Sequence, residues 1–524
     1  MGMARIPSSL HIVSWNVASW PTTAANIIKF HGSLTSWLDK HNIDILCLQE
    51  VKATRAKMIV PSSGWETFLS PNLVRPGLNG VATLVRKNRY LDFPIVGADP
   101  TPFAHVGADS NLCQQGRCIL TDHGVFTLIN VYVPYDGECG SQIELKLNFL
   151  TSLHALILQI KKTKRPVVCV GDFNVARNPR DLHYEFRRIN LDDLVENLQT
   201  NIELAHGKIG YPLSNQVVGI LVFLSQNWSN VKKKLIENRS VQQINGNKYV
   251  LKICGISIGQ RQFSKSVCEN TANPEPVHVG SFVYKSEGVL CVSDLFEVLS
   301  KVENFQVSME AKIAFSDVFA NVPRSCVADI WDKLLSECKL VDTYLHVNSA
   351  ARPIGSERFT CWDQSRNDRY ENRGTRIDYI LADESVISSV RLAELPKSIP
   401  LLSTSSERST ALRAATAEGQ WRPVPFSGVR EDNFVACTDF EFKFSNPPQT
   451  GIIYTHPVFS DHVATSVVID MSTLPTENIN QRTSDHLGSL WANELRKCSV
   501  NPQVSLKSMF SSGNSVEKKP RIAM

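Results

Sequence analysis

Five short polar islands, scattered over most of the chain, each close an apolar, strand-like run. They are Ser14-Trp15-Asn16, Leu48-Gln49-Glu50-Val51-Lys52, Gly171-Asp172-Phe173-Asn174, Arg376-Ile377-Asp378-Tyr379 and Ser460-Asp461-His462. A run rich in Val, Ile and Leu reads as a buried strand, and a charge at its end is costly unless it meets a partner or a metal. Such ends converging would make a site of carboxylates, amides and one imidazole. That donor set suits a hard divalent cation and a phosphate ester.

The surrounding pattern is layered. From residue 10 to about 196, short apolar runs alternate with helical stretches. Strands are expected at 11–15, 43–49, 80–86, 117–121, 126–133 and 166–170, and helices at 22–41 and 141–162. This alternation argues for an α/β domain. Between 198 and 324 the turn residues come irregularly and no motif stands out, so this span reads as an insertion, and the core resumes with helical spacing at 325–338. A Ser-, Pro- and Arg-rich stretch at 395–450 is expected to be a long surface loop. From 473 to 524 the composition is polar, and disorder is expected. One catalytic unit over 8–472, interrupted by the insertion, follows from these boundaries.

Composition excludes little beyond this. The 524 residues are 43% apolar and 20% charged with a net charge of +4, so a nucleic-acid surface would have to come from local clustering. The 13 cysteines include no C-x-x-C pair, which argues against a zinc ribbon or a disulfide framework and for reduced thiols. No basic-then-apolar leader is evident, and the run 217–224 is too short to span a bilayer. An intracellular setting with no membrane partner is the expectation.

In order and context, the five islands resemble the exonuclease III-type apurinic/apyrimidinic endonucleases of the endonuclease/exonuclease/phosphatase family, nearest the apurinic/apyrimidinic endonuclease 2 branch. Phe359-Thr360-Cys361-Trp362 followed by Asp378, together with Leu128-Ile129-Asn130-Val131-Tyr132 and Gly80-Val81-Ala82-Thr83, carries that placement. The resemblance covers about half of the chain. It implies a four-layered α/β sandwich of two packed mixed β-sheets flanked by helices, here with a large insertion and a disordered C-terminal tail.

It also implies roles. Mg²⁺, with Mn²⁺ as a substitute, would be held at Glu50 and Asn16, with Asp172, Asn174, Asp461 and His462 completing the metal-side set. Tyr132, Asp172, Asn174, Asp378 and His462 would be catalytic. Asp172 would prepare the attacking water, Asn174 and Tyr132 would hold phosphoryl oxygens, and Asp378 would orient His462. Trp362 and Ile377 would wall a pocket for a flipped-out abasic sugar, with Arg376 and Arg177 on phosphates. The smaller Cys361 and Thr375 beside these positions imply a roomier pocket and more 3′-end processing. Ala18 stands where the family commonly has an acidic or amide residue and Gln115 where it has an acidic one, which puts metal support in doubt.

In the tail, Gln503, Leu506, Met509 and Phe510 resemble a box that binds proliferating cell nuclear antigen, the sliding clamp. The implied activity is cleavage of double-stranded DNA 5′ to abasic sites together with removal of 3′-terminal nucleotides, in the nucleus. Two alternatives share the fold: a clamp-tethered DNA-binding protein with little or no activity, and a phosphodiesterase acting on another substrate.

Overall fold

The computed structural model describes residues 9–62, 64–87, 95–137, 141–237, 289–302, 305–320, 326–347, 359–364, 373–391, 450–453, 459–474 and 486–500, with residues 368 and 455 and the backbone of strands between 239 and 284. Two six-stranded mixed sheets pack face to face. One runs in the order Gly451–Ile453, Ala464–Ile469, Leu10–Asn16, Ile45–Gln49, Val81–Arg86, Trp65–Ser70. The other runs Leu340–Asp342, Asp378–Asp383, Val167–Asp172, Thr127–Tyr132, Cys118–Asp122, Gly97–Asp99. Leu10–Asn16 is parallel to Ile45–Gln49 and Thr127–Tyr132 to Val167–Asp172; the other sheet neighbours are antiparallel.

The central strands of this core are covered on both faces, which is why their sequences read as continuous apolar runs. Ile12, Ile45, Val168, Val170 and Val467 fill the space between the sheets. Val13, Trp15, Leu46 and Leu48 point outward against helices Trp20–His31 and Leu34–Lys40. On the opposite outer face Val167 and Cys169 meet Ile143–Lys161 and Cys326–Ser336. These aliphatics are buried, so truncation of one to alanine costs about 2–5 kcal/mol. Helix Ile143–Lys161 is apolar enough to cross a membrane by length and composition, yet it buries Phe149, Leu150, Leu153, Leu156, Ile157 and Ile160 in this core.

Two sequence expectations change, at 22–41 and in the tail, and for the insertion a subdomain and not an irregular span is found. The stretch 22–41 is two helices, because Gly32 turns the chain at φ 79° and Ser33 caps the second helix by accepting from the Ser36 N–H. The insertion has its own core. Helices Leu198–Lys208, Leu213–Glu237, Val292–Lys301 and Met309–Phe319 enclose Val217, Ile220, Leu221, Leu224, Leu295 and Phe315. The 3-, 4- and 7-residue steps from Val217 are the stripe a buried helix needs. This unit starts before 198, since Tyr184, Ile189 and Leu191 share its core. Arg187 braces this unit from within by donating to Ser316 Oγ at 2.8 Å and pairing with Asp317.

The polar tail also contains structure. His486–Cys498 is a helix that buries Trp491 and Cys498. It lies on the Gly97–Asp99 edge, where a Cβ on Gly97 would stand 2.7 Å from Trp491. The chain then adds a bridge from Ser499 to Phe68 at the edge of the other sheet. Average composition missed this helix because three widely spaced apolar residues suffice to seat it. The 395–449 loop and the box at Gln503, Leu506, Met509 and Phe510 lie outside the described residues.

Candidate active site

The ends of five strands gather the islands on one rim. Asn16 closes Leu10–Asn16, Glu50 follows Ile45–Gln49, Tyr132 closes Thr127–Tyr132, Asp172 closes Val167–Asp172, and Asp378 opens Asp378–Asp383. The register places Asp172 opposite both Tyr132 and Asp378. Gly171 is required there: a Cβ would fall 1.9 Å from the Val131 carbonyl oxygen. His462 enters just before Ala464–Ile469.

Hydrogen bonds join these side chains into one array. The Asn16 amide donates to Glu50 Oε1 at 3.0 Å and to Asp172 Oδ2 at 2.9 Å. The Asn174 N–H donates to Asp172 Oδ1 at 2.8 Å, and its side-chain amide donates to the Val133 carbonyl at 2.9 Å. His462 Nδ1 meets Asp378 Oδ2 at 2.8 Å, while its Nε2 stands 4.0 Å from Asp172 Oδ2. Backbone strain concentrates here. Ala18, Glu50, Lys52 and Asn174 all have φ near 50°, the left-handed region that costs a non-glycine residue about 1–2 kcal/mol.

The electrostatics set the protonation states. Burial, reinforced by the Asp378 charge, pushes the Asp172 carboxyl up to about 7 against the pull of His462 and Asn16. Burial alone would discharge His462, but Asp378 outweighs it and raises the imidazole well above its ordinary value. Burial likewise opposes ionisation of Glu50, yet hydrogen bonds from Lys52 and Asn16 hold it below the usual carboxylate range. Lys52 pairs with Glu50 at 2.7 Å. Burial, then the charges of Glu50 and Asp172, raise Tyr132 well above an ordinary phenol, so it is a neutral hydrogen-bond donor here.

Several supporting residues carry no sequence signal of their own. Gln49 and Asn130, both fully buried, bridge the two sheets just beneath Glu50: Gln49 Nε2 donates to Asn130 Oδ1 at 2.8 Å. Lys146, fully buried on helix Ile143–Lys161, donates to the Asn174 carbonyl at 2.6 Å and pairs with Asp136. A lysine inside an otherwise apolar helical stripe was the signal that could have marked it. Arg117 lies 4.8 Å over the Tyr132 ring and donates to Gln115 Oε1 at 2.9 Å. Gln115, where the family pattern is acidic, thus holds an arginine beside the site.

Three expected substrate contacts are placed differently. Arg376 is 1% exposed and bonds Asp181 Oδ1 at 2.7 Å and Asp342 Oδ2 at 2.9 Å, so it is a buried structural cation and not a phosphate ligand. Arg177 is spent on Asp332, which accepts at 2.6 and 2.9 Å. Trp362 is 2% exposed in a small core with Phe359 and Val463, and packs there instead of lining a pocket. Ile377 stays half-buried at the rim, between Phe173 and Asp378.

The donor set fits a hard divalent cation. Glu50, Asp172, Asp378 and Asp461 concentrate carboxylate charge on one rim, and the buried Asp378 Oδ1 has no hydrogen-bond partner among the described residues. The ligand atoms of Asp172, Asp378 and His462 lie within 4.8 Å of one another. Oxygen donors dominate, as magnesium prefers.

A two-sheet α/β sandwich with this carboxylate–amide–imidazole rim defines a class, and residues 13–220 match the model of the Endonuclease/Exonuclease/phosphatase family. More particularly, the chain is similar to the "DNA-(apurinic or apyrimidinic site) endonuclease 2" of Xenopus laevis, 30% identical over 199 residues that make up 33% of this chain and 37% of that protein. The Homo sapiens protein of the same name is 27% identical over 216 residues, 35% of this chain and 41% of that one. The chain thus spans well under half the length of these curated relatives. Among solved structures it is similar to the Xenopus laevis APE2 catalytic domain, with a TM-score of 0.38, 17% identity and coverage of 73% of this chain and 84% of that one. AP endonuclease LMAP from Leishmania major gives a TM-score of 0.43 and 13% identity over 88% of each chain.

Proposed function

We propose that this chain is a Mg²⁺-dependent DNA-repair phosphodiesterase that cleaves the backbone 5′ to abasic sites and removes 3′-terminal nucleotides or blocking groups. The observation that carries the reading is the single array in which Asn16 bridges Glu50 and Asp172 while Asp378 orients His462 toward Asp172. Relatives of the apurinic/apyrimidinic endonuclease 2 type support the substrate class.

In this reading Glu50, with Asn16 beside it, holds the Mg²⁺, which when bound offsets charge developing on the phosphate. Asp172, buried and accepting bonds from Asn16 and Asn174, takes the proton of the attacking water. His462, kept as imidazolium by Asp378, donates to a phosphoryl oxygen, as does the neutral phenol of Tyr132. The half-buried Ile377 offers the apolar contact for a sugar without its base. The tail residues Gln503, Leu506, Met509 and Phe510 would tether the enzyme to a sliding clamp in the nucleus.

The test is a labelled duplex carrying either one abasic analogue or a recessed 3′ mismatch, incubated with and without Mg²⁺. Incision 5′ to the lesion, 3′ trimming and loss of both with chelator are expected. Equal turnover without any divalent cation, or no turnover of either substrate, would overturn the proposal.

A further inference from the structure

Next to the oxygen-rich half of the rim lies a cluster of different chemistry. Cys361 Sγ, an Asp461 carboxylate oxygen and a His462 imidazole nitrogen lie within 4.8 Å of one another. Two paired segments hold them there. Cys361 forms an antiparallel bridge with His462, the Trp362 N–H donates to the Asp461 carbonyl at 3.2 Å, and the Val463 N–H donates to the Thr360 carbonyl at 2.8 Å. Short strands Cys361–Trp362 and Gly374–Thr375 pair behind them, with Gly374 so close to Trp362 that a Cβ would fall 2.5 Å from its Nε1. The three side chains are therefore carried on rigid backbone.

Sulfur, imidazole nitrogen and one carboxylate form a ligand set that magnesium does not select. Zinc-class ions take it readily, with a fourth tetrahedral position left for water. The set is composed differently from Glu50 and Asp172, which offer oxygen alone. It shares Asp461 and His462 with the rim described above.

We propose that Cys361, Asp461 and His462 form a thiophilic metal site for a cation of the Zn²⁺ class, and that its occupancy inhibits the enzyme by capturing His462. Binding forms a metal–sulfur and a metal–nitrogen bond. It releases the thiol proton of Cys361 and the imidazolium proton of His462 to solvent. Coordinated through Nε2, His462 would keep its remaining proton on Nδ1 toward Asp378 and have none at Nε2 to donate to a phosphoryl oxygen. A hard ion at Glu50 and a soft ion at Cys361 would have opposite effects on one rim.

The test uses the full chain, free of Mg²⁺ and DNA, titrated with Co²⁺ as a spectroscopic probe. A thiolate-to-cobalt charge-transfer band is expected, displaced by Zn²⁺, lost in Cys361→Ser, and requiring about 10-fold more Co²⁺ in Asp461→Asn. Far-UV circular dichroism establishes that each variant is folded, and the two substitutions back each other if one is not. No band, or a band unchanged in Cys361→Ser and so owed to other thiols, would overturn the site. This arm needs no substrate, so it fails or succeeds independently of the nuclease reading. The inhibitory half rests on that reading: Zn²⁺ should suppress Mg²⁺-supported cleavage, with the half-inhibitory concentration at least about 10-fold higher in Cys361→Ser. Equal inhibition of both chains would overturn it.

Discussion

Arg376 and Asp378 stand two residues apart on the same strand entry, and both are buried charges, yet they belong to different kinds of place. Arg376 bonds one oxygen of each of two carboxylates, Asp181 and Asp342, and lies 4.5 Å over the Tyr379 ring and 5.1 Å over that of Tyr344. Aromatic faces and ion pairs on several sides fix that guanidinium, and the backbone around it is unstrained. Asp378 spends one oxygen on His462 and leaves the other without a partner, among carboxylates that repel one another and loops held at positive φ. Each keeps one buried atom without a hydrogen-bond partner among the described residues, Nη2 of Arg376 and Oδ1 of Asp378, but two carboxylates face the Arg376 cation whereas Asp378 has the like charge of Asp172 beside it. Burial of a charge therefore does not mark function; burial beside a like charge does.

The largest effect should come from the second cluster. Asp172→Asn keeps the shape but removes the proton acceptor and one of the two bonds accepted from Asn16 and Asn174, so turnover should fall about 10²- to 10⁴-fold. Its melting temperature should hold or rise, because relief of repulsion from Asp378 offsets the lost bonds. Unchanged turnover would break the comparison at its functional end. Arg376→Leu should do the reverse. Leaving Asp181 and Asp342 buried without their cation should cost about 3–5 kcal/mol of stability by denaturant unfolding. If that variant were stable but weak in DNA binding, Arg376 would be a phosphate ligand after all.

The two clusters also show what can be read from a sequence. Polar ends on apolar runs located Asn16, Glu50, Asp172, Asp378 and His462, because a strand's end is fixed by local pattern and convergence follows from two packed sheets. Arg376 could not be sorted the same way. Its partners, Asp181 and Asp342, lie 195 and 34 residues away, and nothing local says that both point at it. Trp362 was ambiguous for the same reason, since an aromatic beside a site and an aromatic beneath it look alike in sequence. The helix at His486–Cys498 was hidden by polar neighbours that only decorate its outer face. Whether the insertion forms a subdomain or stays irregular was left open by the sequence, because its amphipathic helices carry no motif to anchor them.

A third case lies between the two clusters. Lys146 is as buried as Arg376, but its partners are Asp136 and the carbonyl of Asn174, inside the strained turn of the site. It is a positioning residue. Lys146→Met should lower kcat about 10-fold or more with little change in KM, because the other phosphate contacts are left intact while Asn174 loses its support. Loss of stability alone, with kcat per folded molecule unchanged, would move Lys146 to the side of Arg376.

The smallest effect concerns a buried titratable group remote from both clusters. His123 sits 1% exposed between Phe126, stacked at 5.1 Å, and Thr121, whose Oγ1 lies 2.8 Å from Nε2. Burial lowers its pKa to about 3. Because the unfolded chain binds this proton near pH 6.5 and the folded chain does not, the contribution to stability is complete above about 6.5. It is lost as pH falls toward 3, by at most about 1.4 kcal/mol per pH unit. His123→Phe should therefore flatten the decline of melting temperature between neutral and acidic pH, though not abolish it, since His41 is lowered to about 3 as well, by burial and then by Lys40. Uncompensated burial would then register in stability alone at His123, whereas at Asp378 it serves the site. An unaltered acid slope in His123→Phe would mean that this imidazole is compensated in the folded chain, and would remove the contrast.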